Sequence, residues 1–217
     1  MTLYRPGHFT VDDRGAIAHL VHDYPFATLM TPATPEPFVS HLPLLLVPGG
    51  GPDGTLIGHF ARANPHCRHV DNVESLVIFH GPHAYVSPSW YGQPDRMVPT
   101  WNYATVHMHG TLDVITDAAE TRGVLDALIQ RFEGARVAPW TLRMPERERD
   151  AMVGAIVAFR MPVTRLEGKF KLSQNRVPAD RARVAAALKK EGYAEATATA
   201  EWMERYANAG AQDVPER

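Results

Sequence analysis

The sequence predicts a mainly β (α+β) chain, built as a closed or half-closed antiparallel barrel with flanking helices and a helical tail. Three observations carry this. Six or seven short strand-like segments follow one another at hairpin spacing. The run Gly49-Gly50-Gly51-Pro52-Asp53-Gly54 is a strong turn signal between two of them. After Pro178 the apolar period changes from that of strands to that of helices, over Arg181–Lys190 and Ala194–Tyr206.

Taken in order, Thr10 is expected to cap a first helix with Asp13 at its third position, and Val11, Ile17, Leu20 and Val21 form its apolar stripe. Phe26–Thr31 reads as a strand and Ser40–Val47 as a second, apolar almost throughout. The glycine-rich turn leads into a third strand from Thr55. Gly58–Asn64 reads as a short helix stopped by Pro65. Strands at Glu74–Phe79 and Ala84–Val86 flank an expected turn at His80-Gly81-Pro82. Tyr103–Ile115 alternates as a strand that Gly110 kinks, and Asp117 opens a helix with Val124, Leu125, Leu128, Ile129 and Phe132 on one side. Pro145 starts a short charged helix. Ile156–Phe170 returns to strand character, with Phe159, Met161, Val163 and Arg165 on one parity. The expected organisation is a barrel domain over 1–175, a helical segment over 176–208 packed on the barrel or on a dimer, and a disordered tail over 209–217.

Bulk properties exclude several classes. At 217 residues the chain can bury a sizeable core. A net charge of -2 argues against coating nucleic acid or an anionic membrane through general electrostatics. The single cysteine, Cys67, rules out an internal disulfide framework and any multi-cysteine metal site, and fits a reducing compartment. No segment approaches the roughly 20 apolar residues that span a bilayer, and the N-terminus lacks a signal-peptide core. The expectation is a soluble, cytoplasmic protein with no membrane partner.

Residues 81–110 carry the chemistry. Trp90 and Trp101 are interleaved there with Tyr85, Tyr91, Tyr103, Ser87, Ser89, Thr100 and Asn102, and Pro82, Pro88, Pro94 and Pro99 restrict the backbone. Flat apolar rings beside a few directed hydrogen-bonding groups suit a planar heteroaromatic ligand. The bland alternative is a loop that closes the end of a sheet. His107 and His109 lie two apart on a strand and share a face, yet spacing supplies no third ligand, so no metal site is assigned. The pairs His66/His69 and His80/His83 read as ordinary loop histidines, and Cys67 beside Arg68 as a small buried hydrophobe.

Several pieces together carry a family resemblance. They are Leu3-Tyr4-Arg5-Pro6, Pro25-Phe26-Ala27-Thr28-Leu29, His41-Leu42-Pro43-Leu44, Gly58-His59-Phe60-Ala61-Arg62-Ala63-Asn64-Pro65, Ser87-Pro88-Ser89-Trp90-Tyr91, Thr100-Trp101-Asn102-Tyr103 and Lys169-Phe170-Lys171-Leu172-Ser173-Gln174-Asn175-Arg176. Over residues 3–190 the chain resembles the PaiB-like family of FMN-binding split barrels, whose members are described as negative transcriptional regulators. The resemblance implies an antiparallel FMN-binding split β-barrel with flanking and C-terminal helices, dimeric, with FMN in a cleft at the subunit interface.

FMN requires an anion site for its phosphate, a flat wall for its ring and donors for its polar edge. The expected phosphate site is Gly58, His59 and Arg62 at a strand-to-helix junction, closed by Lys171 and Ser173. Trp90, Trp101 and Tyr103 are expected to flank the isoalloxazine, and Ser87, Ser89, Thr100 and Asn102 to meet its polar atoms. Haem is the alternative cofactor, with His41 or His59 as axial ligand. Three functions remain open. One is a repressor using Arg176, Arg181, Arg183, Lys189 and Lys190 on phosphates, although the sequence shows no recognition-helix motif. The second is an FMN-dependent oxidoreductase or flavin reductase, without an evident catalytic acid or base. The third is a non-catalytic flavin or haem sensor acting through a protein partner.

Overall fold

The computed structural model describes residues 3–206. Within them the chain forms two compact units, one of residues 3–24, 79–107 and 167–206 and the other of residues 25–78 and 108–166. The long strands β6 (Glu74–Val86) and β7 (Thr100–Thr111) contribute to both.

In the first unit the strand order is β1 (Thr10–Val11), β10 (Arg165–Lys171), β7, β6. Thr10 pairs with Lys169 and Val11 with Gly168, antiparallel. Helices α1 (Arg14–Asp23) and α5 (Ala194–Arg205) pack on one face of this sheet, Ile17 beside Gly168 and Trp202 beside Phe170, and α4 (Pro178–Glu191) packs on α5. The cap of α1 is Asp13, whose carboxylate accepts from the amides of Gly15 and Ala16; the expected cap, Thr10, lies in β1 instead. Ile17, Leu20 and Val21 are buried on the inner side of α1, while Val11 reaches the core from the strand. Trp202 of α5 meets Phe170 of β10 edge-to-face with ring centroids 5.3 Å apart. Residue 168 must be glycine here, because any Cβ would lie 2.6 Å from the Val11 carbonyl oxygen.

β6 is continuous where a turn at residues 80–82 was expected. Exposure alternates along it until Gly81 and Pro82, both buried, where the alternation slips by one residue. That slip is the mark of a bulge, and it turns His83 and Tyr85 to the exposed side. A proline without an amide hydrogen is tolerated at such an interruption.

The second unit contains two antiparallel arrangements. In one, β3 (Phe38–Pro43) pairs with β2 (Phe26–Thr31), which pairs with the start of β6. In the other the order is β4 (Leu45–Val47), β5 (Thr55–Ala61), β9 (Ile156–Pro162), β8 (Asp113–Val114). The expected single strand over residues 40–47 is thus divided at Leu44, which is fully buried and lets the chain change sheets.

Gly58 through Ala61 continue β5, pairing with β9 from Phe159 to Ile156, so the helix expected over residues 58–64 does not form. Pro65 starts a short 3-10 turn instead, capped by the Asn64 side chain. Helix α2 (Ala118–Glu133) does begin at Asp117, which accepts from Glu120 N. Val124 and Leu128 pack on Ala158, with Leu45, Ile57 and Ile115 around them. Helix α3 (Glu146–Gly154) follows Pro145.

Gly110, expected to kink its strand, is required for another reason. A Cβ there would lie 2.2 Å from the Pro162 carbonyl oxygen and 2.9 Å from Met161 Cγ. Gly110→Ala must push two backbones apart, and we expect a loss of about 2 kcal/mol, read as a fall in Tm of roughly 5 °C. An unchanged melt would show that the two strands are not in this contact.

Candidate functional site

The sheet face opposite the helices of the first unit gathers aromatic rings and cations. Alternation along β7 sends Trp101 and Tyr103 to this face and Asn102 and Ala104 inward. Alternation along β10 sends Lys169 and Lys171 the same way and Phe170 inward. Trp101 is 53% exposed and Tyr85, edge-to-face with it at 6.1 Å, is 41% exposed. His83 lies 6.3 Å from the Trp101 ring.

The lysines define the electrostatics. Lys169 is only 6% exposed, and its ammonium lies 5.2 Å from the Tyr4 ring centroid and 5.3 Å from that of Tyr103. Lys171 Nζ donates to Thr100 Oγ1 at 2.7 Å and to the Trp101 carbonyl oxygen, and lies 5.7 Å from the Phe9 ring. Among the described residues neither ammonium pairs with a carboxylate. Burial lowers the Lys171 pKa, and repulsion from Arg176 and Lys169 lowers it further. A desolvated group of like charges is what a doubly charged anion stabilises. A flat aromatic wall beside such a group is the donor set that a phosphorylated planar ring requires, so these residues fit FMN.

The other sequence-predicted residues are distributed as follows. Ser87 caps a short 3-10 turn at Pro88–Trp90, accepting from Ser89 N at 3.2 Å, and its hydroxyl is 2.8 Å from that of Ser89. Trp90 is half-buried in that turn. Asn102 and Ser173 point inward: Asn102 Nδ2 donates to Ser173 Oγ at 2.9 Å and to Met203 Sδ, and both residues are buried. Ser173 has φ 66°, a left-handed conformation that reverses the chain after β10.

His41, Gly58, His59 and Arg62 belong to the second unit. His41 is exposed on β3, with Nδ1 3.2 Å from Thr28 Oγ1 and its ring stacked near Phe26. His59 is half-buried on β5; burial lowers its pKa, and its Nδ1 has no hydrogen-bond partner. Arg62 spends its guanidinium on the carbonyl oxygens of Gly154 and Ile156. With no helix at residues 58–64, the helix-terminus argument for a phosphate there is withdrawn.

Sequence reasoning passed over Lys169 and Tyr4 as site residues. Two signals pointed to them. Lys-Phe-Lys places two lysines on one face of a strand with an apolar residue between, and Tyr4 lies in the N-terminal piece of the family motif.

A family model described as "Putative FMN-binding domain" matches residues 3–165. The chain belongs to this family. It is 35% identical over 206 residues to the protease synthase and sporulation protein PAI 2 of Bacillus subtilis, covering 93% of this chain and 97% of that protein. It is 29% identical to an uncharacterized protein of Aspergillus fumigatus, over 81% of this chain and 87% of that one. Among solved structures, the FAD and haem binding protein from Mycobacterium smegmatis superposes with a TM-score of 0.60 at 21% identity, covering 80% of this chain and 78% of that chain. The flavocytochrome Anf3 from Azotobacter vinelandii gives 0.56 at 13% identity, over 80% and 75%. At these identities the two structures establish a shared fold, the flavin-binding split barrel. The cofactor of this PaiB-like family is FMN.

Several basic residues of the C-terminal segment are engaged within the first unit. Arg183 pairs with Asp180 at 2.9 Å and Lys189 with Glu204 at 2.7 Å, while Arg176 lies over the Tyr91 ring at 5.5 Å.

Proposed function

We propose that this PaiB-like chain holds FMN on the exposed sheet face of its first unit and acts as a flavin-dependent negative regulator of gene expression. The observation that supports the site is the pair of desolvated lysines, Lys169 and Lys171, without acidic partners beside the exposed Trp101 ring. In this reading Lys171, Lys169 and Thr100 hold the phosphate, and Trp101, Tyr103 and Tyr85 flank the ring. FMN, when bound, supplies one- or two-electron redox chemistry. The protein groups bind, orient and shield. Ser87, Ser89 and Trp90 meet the ring edge, whereas Asn102 and Ser173 support the strand end from within.

The internal pairing of Arg183 and Lys189 disfavours phosphate contacts by the tail, so the regulatory output is assigned to a protein partner rather than to direct DNA contact. The similarity to a sporulation protein supports a regulatory role over a metabolic one. The relevant form is a homodimer. The second unit exposes an apolar sheet face on β2 and β3, where Phe26 is 64% and Val39 52% exposed, and a second copy would cover it. Val39→Lys is expected to convert the dimer to monomer in light scattering with the fold intact; a wild-type monomer would end this part of the reading.

The test of the site is a titration of the purified protein with FMN and, separately, riboflavin. FMN binding tighter by about tenfold or more is expected from charge-assisted phosphate contacts. Equal affinities would remove the lysines from the site.

A further inference from the structure

We propose that Asp180 is the positioning residue for the ring side of the flavin site, tying the connection between β6 and β7 to α4 so that Ser87, Ser89 and Trp90 meet the isoalloxazine edge in one arrangement. This role rests on the reading that FMN lies on that face. The connection holds two 3-10 turns, Pro88–Trp90 and Pro94–Arg96. Each is closed from within: Tyr91 N donates to the Pro88 carbonyl oxygen at 3.1 Å, and Met97 N to that of Pro94 at 3.0 Å. Short-range bonds shape a turn without fixing how it lies on the rest of the chain, and a surface connection of this kind moves unless it is tied down.

Gly92, between the two turns, supplies the tie. Its amide donates to Asp180 Oδ1 at 2.9 Å, and Asp180 is buried, 8% exposed. The same oxygen accepts from Arg183 Nη1 at 2.9 Å. A Cβ at Gly92 would lie 2.6 Å from that nitrogen, so the guanidinium lies against the Gly92 backbone as well as on the carboxylate and braces the junction. Asp180 sits in the first turn of α4, where the free amides favour a negative charge. Beside it, the Arg176 guanidinium lies 5.5 Å from the ring centroid of the buried Tyr91, a second link between the connection and the segment leading into α4. A charged, buried acceptor makes the stronger kind of hydrogen bond, so this carboxylate is suited to hold the connection in one place. The lysines then govern the phosphate end of the ligand, and Asp180, acting through the connection, governs the ring end. Because FMN and riboflavin share the ring, losing Asp180 must weaken both together.

The experiment titrates the full chain, as wild type, Asp180→Leu and Asp180→Asn, with FMN and with riboflavin, and reads amide hydrogen exchange of each ligand-free protein over residues 91–97 and over β6 and β7. Asp180→Leu is expected to weaken both flavins by about tenfold, leaving the ratio of their affinities unchanged. Its exchange at Gly92 is expected to quicken by about tenfold while the two strands keep their protection. Asp180→Asn, whose Oδ1 still accepts from Gly92, is expected to restore most of both. If Asp180→Leu does not fold, Arg183→Met, which keeps the Gly92 bond and loses the brace, is expected to shift both readouts in the same direction. Unchanged flavin affinity in Asp180→Leu would overturn the proposal and leave the lysine site standing. A loss confined to FMN would move Asp180 to the phosphate end, and faster exchange spread over β6 and β7 would reduce it to a general support of the fold; each overturns the proposal. No binding of either flavin by the wild type would fail the underlying reading, and the role of Asp180 with it.

Discussion

Lys171→Ala and Lys169→Ala are each expected to weaken FMN binding by about 10- to 100-fold, the worth of a charge-assisted hydrogen bond to phosphate, while riboflavin affinity changes little. The contrast between the two ligands matters because Lys171 also ties Thr100 to the Trp101 carbonyl, so its removal can disturb the ring wall as well as the anion site. A general disturbance lowers both affinities together. A phosphate role lowers one.

The pH dependence gives an independent reading of Lys171. Its pKa is lowered from 10.5 by burial first, then by Arg176 and Lys169. In the free protein the charged form is therefore penalised, and an arriving dianion relieves that penalty. FMN affinity should hold through neutral pH and fall on the alkaline side earlier than an ordinary lysine would dictate. Lys171→Arg, always charged, should remove this fall. Riboflavin, which shares the ring but not the phosphate, is the control. An alkaline profile identical in wild type and Lys171→Arg would place the phosphate elsewhere.

The second large effect concerns stability in acid. His66, 1% exposed, has its pKa pushed from 6.5 down to about 4, by burial and by the neighbouring His69. Its Nδ1 is 2.8 Å from Ser40 Oγ, its Nε2 has no partner, and the rings of Phe38 and Phe60 lie against it. Between those two pKa values the unfolded chain binds a proton that the folded chain refuses. Folding stability contributed by this site is thus present above pH 6.5 and lost as pH falls toward 4, amounting to about 3 kcal/mol. Urea midpoints at pH 7 and pH 4.5 should differ strongly in wild type and less in His66→Gln, whose neutral side chain cannot titrate. The same difference in both proteins would show that other groups govern the acid limb.

Where the sequence was legible, a local rule had no competitor. Phe26–Thr31 alternates cleanly and is a strand as expected, Asp117 caps its helix, and the glycine run before Thr55 makes its turn. Where it misled, a local signal was overruled by pairing. Gly58–Asn64 resembles a helix stopped by Pro65, yet β9 lies alongside from Phe159 to Ile156 and draws residues 58–61 into the ladder. Gly81-Pro82 reads as a turn, but a bulge absorbs the proline and the strand continues.

The site divides in the same way. Trp101 and Tyr103 announced themselves by residue type, whereas Lys169 did not, because lysine on a strand normally reads as solvated. Only burial against Tyr4 and Tyr103 reveals it. Asn102 looked like a ring-edge donor in the sequence, but the parity of β7 turns it toward Ser173 and Met203. The phosphate site first read from Gly58, His59 and Arg62 depended on a helix that the ladder does not allow.

The measurement that tests the central claim most directly is a crystal structure of the protein with FMN. The account predicts phosphate oxygens within hydrogen-bond distance of Lys169 and Lys171 Nζ, with the isoalloxazine against Trp101. A phosphate bound by His59 and Arg62, with Lys171 still tied only to Thr100 and the Trp101 carbonyl, would contradict it.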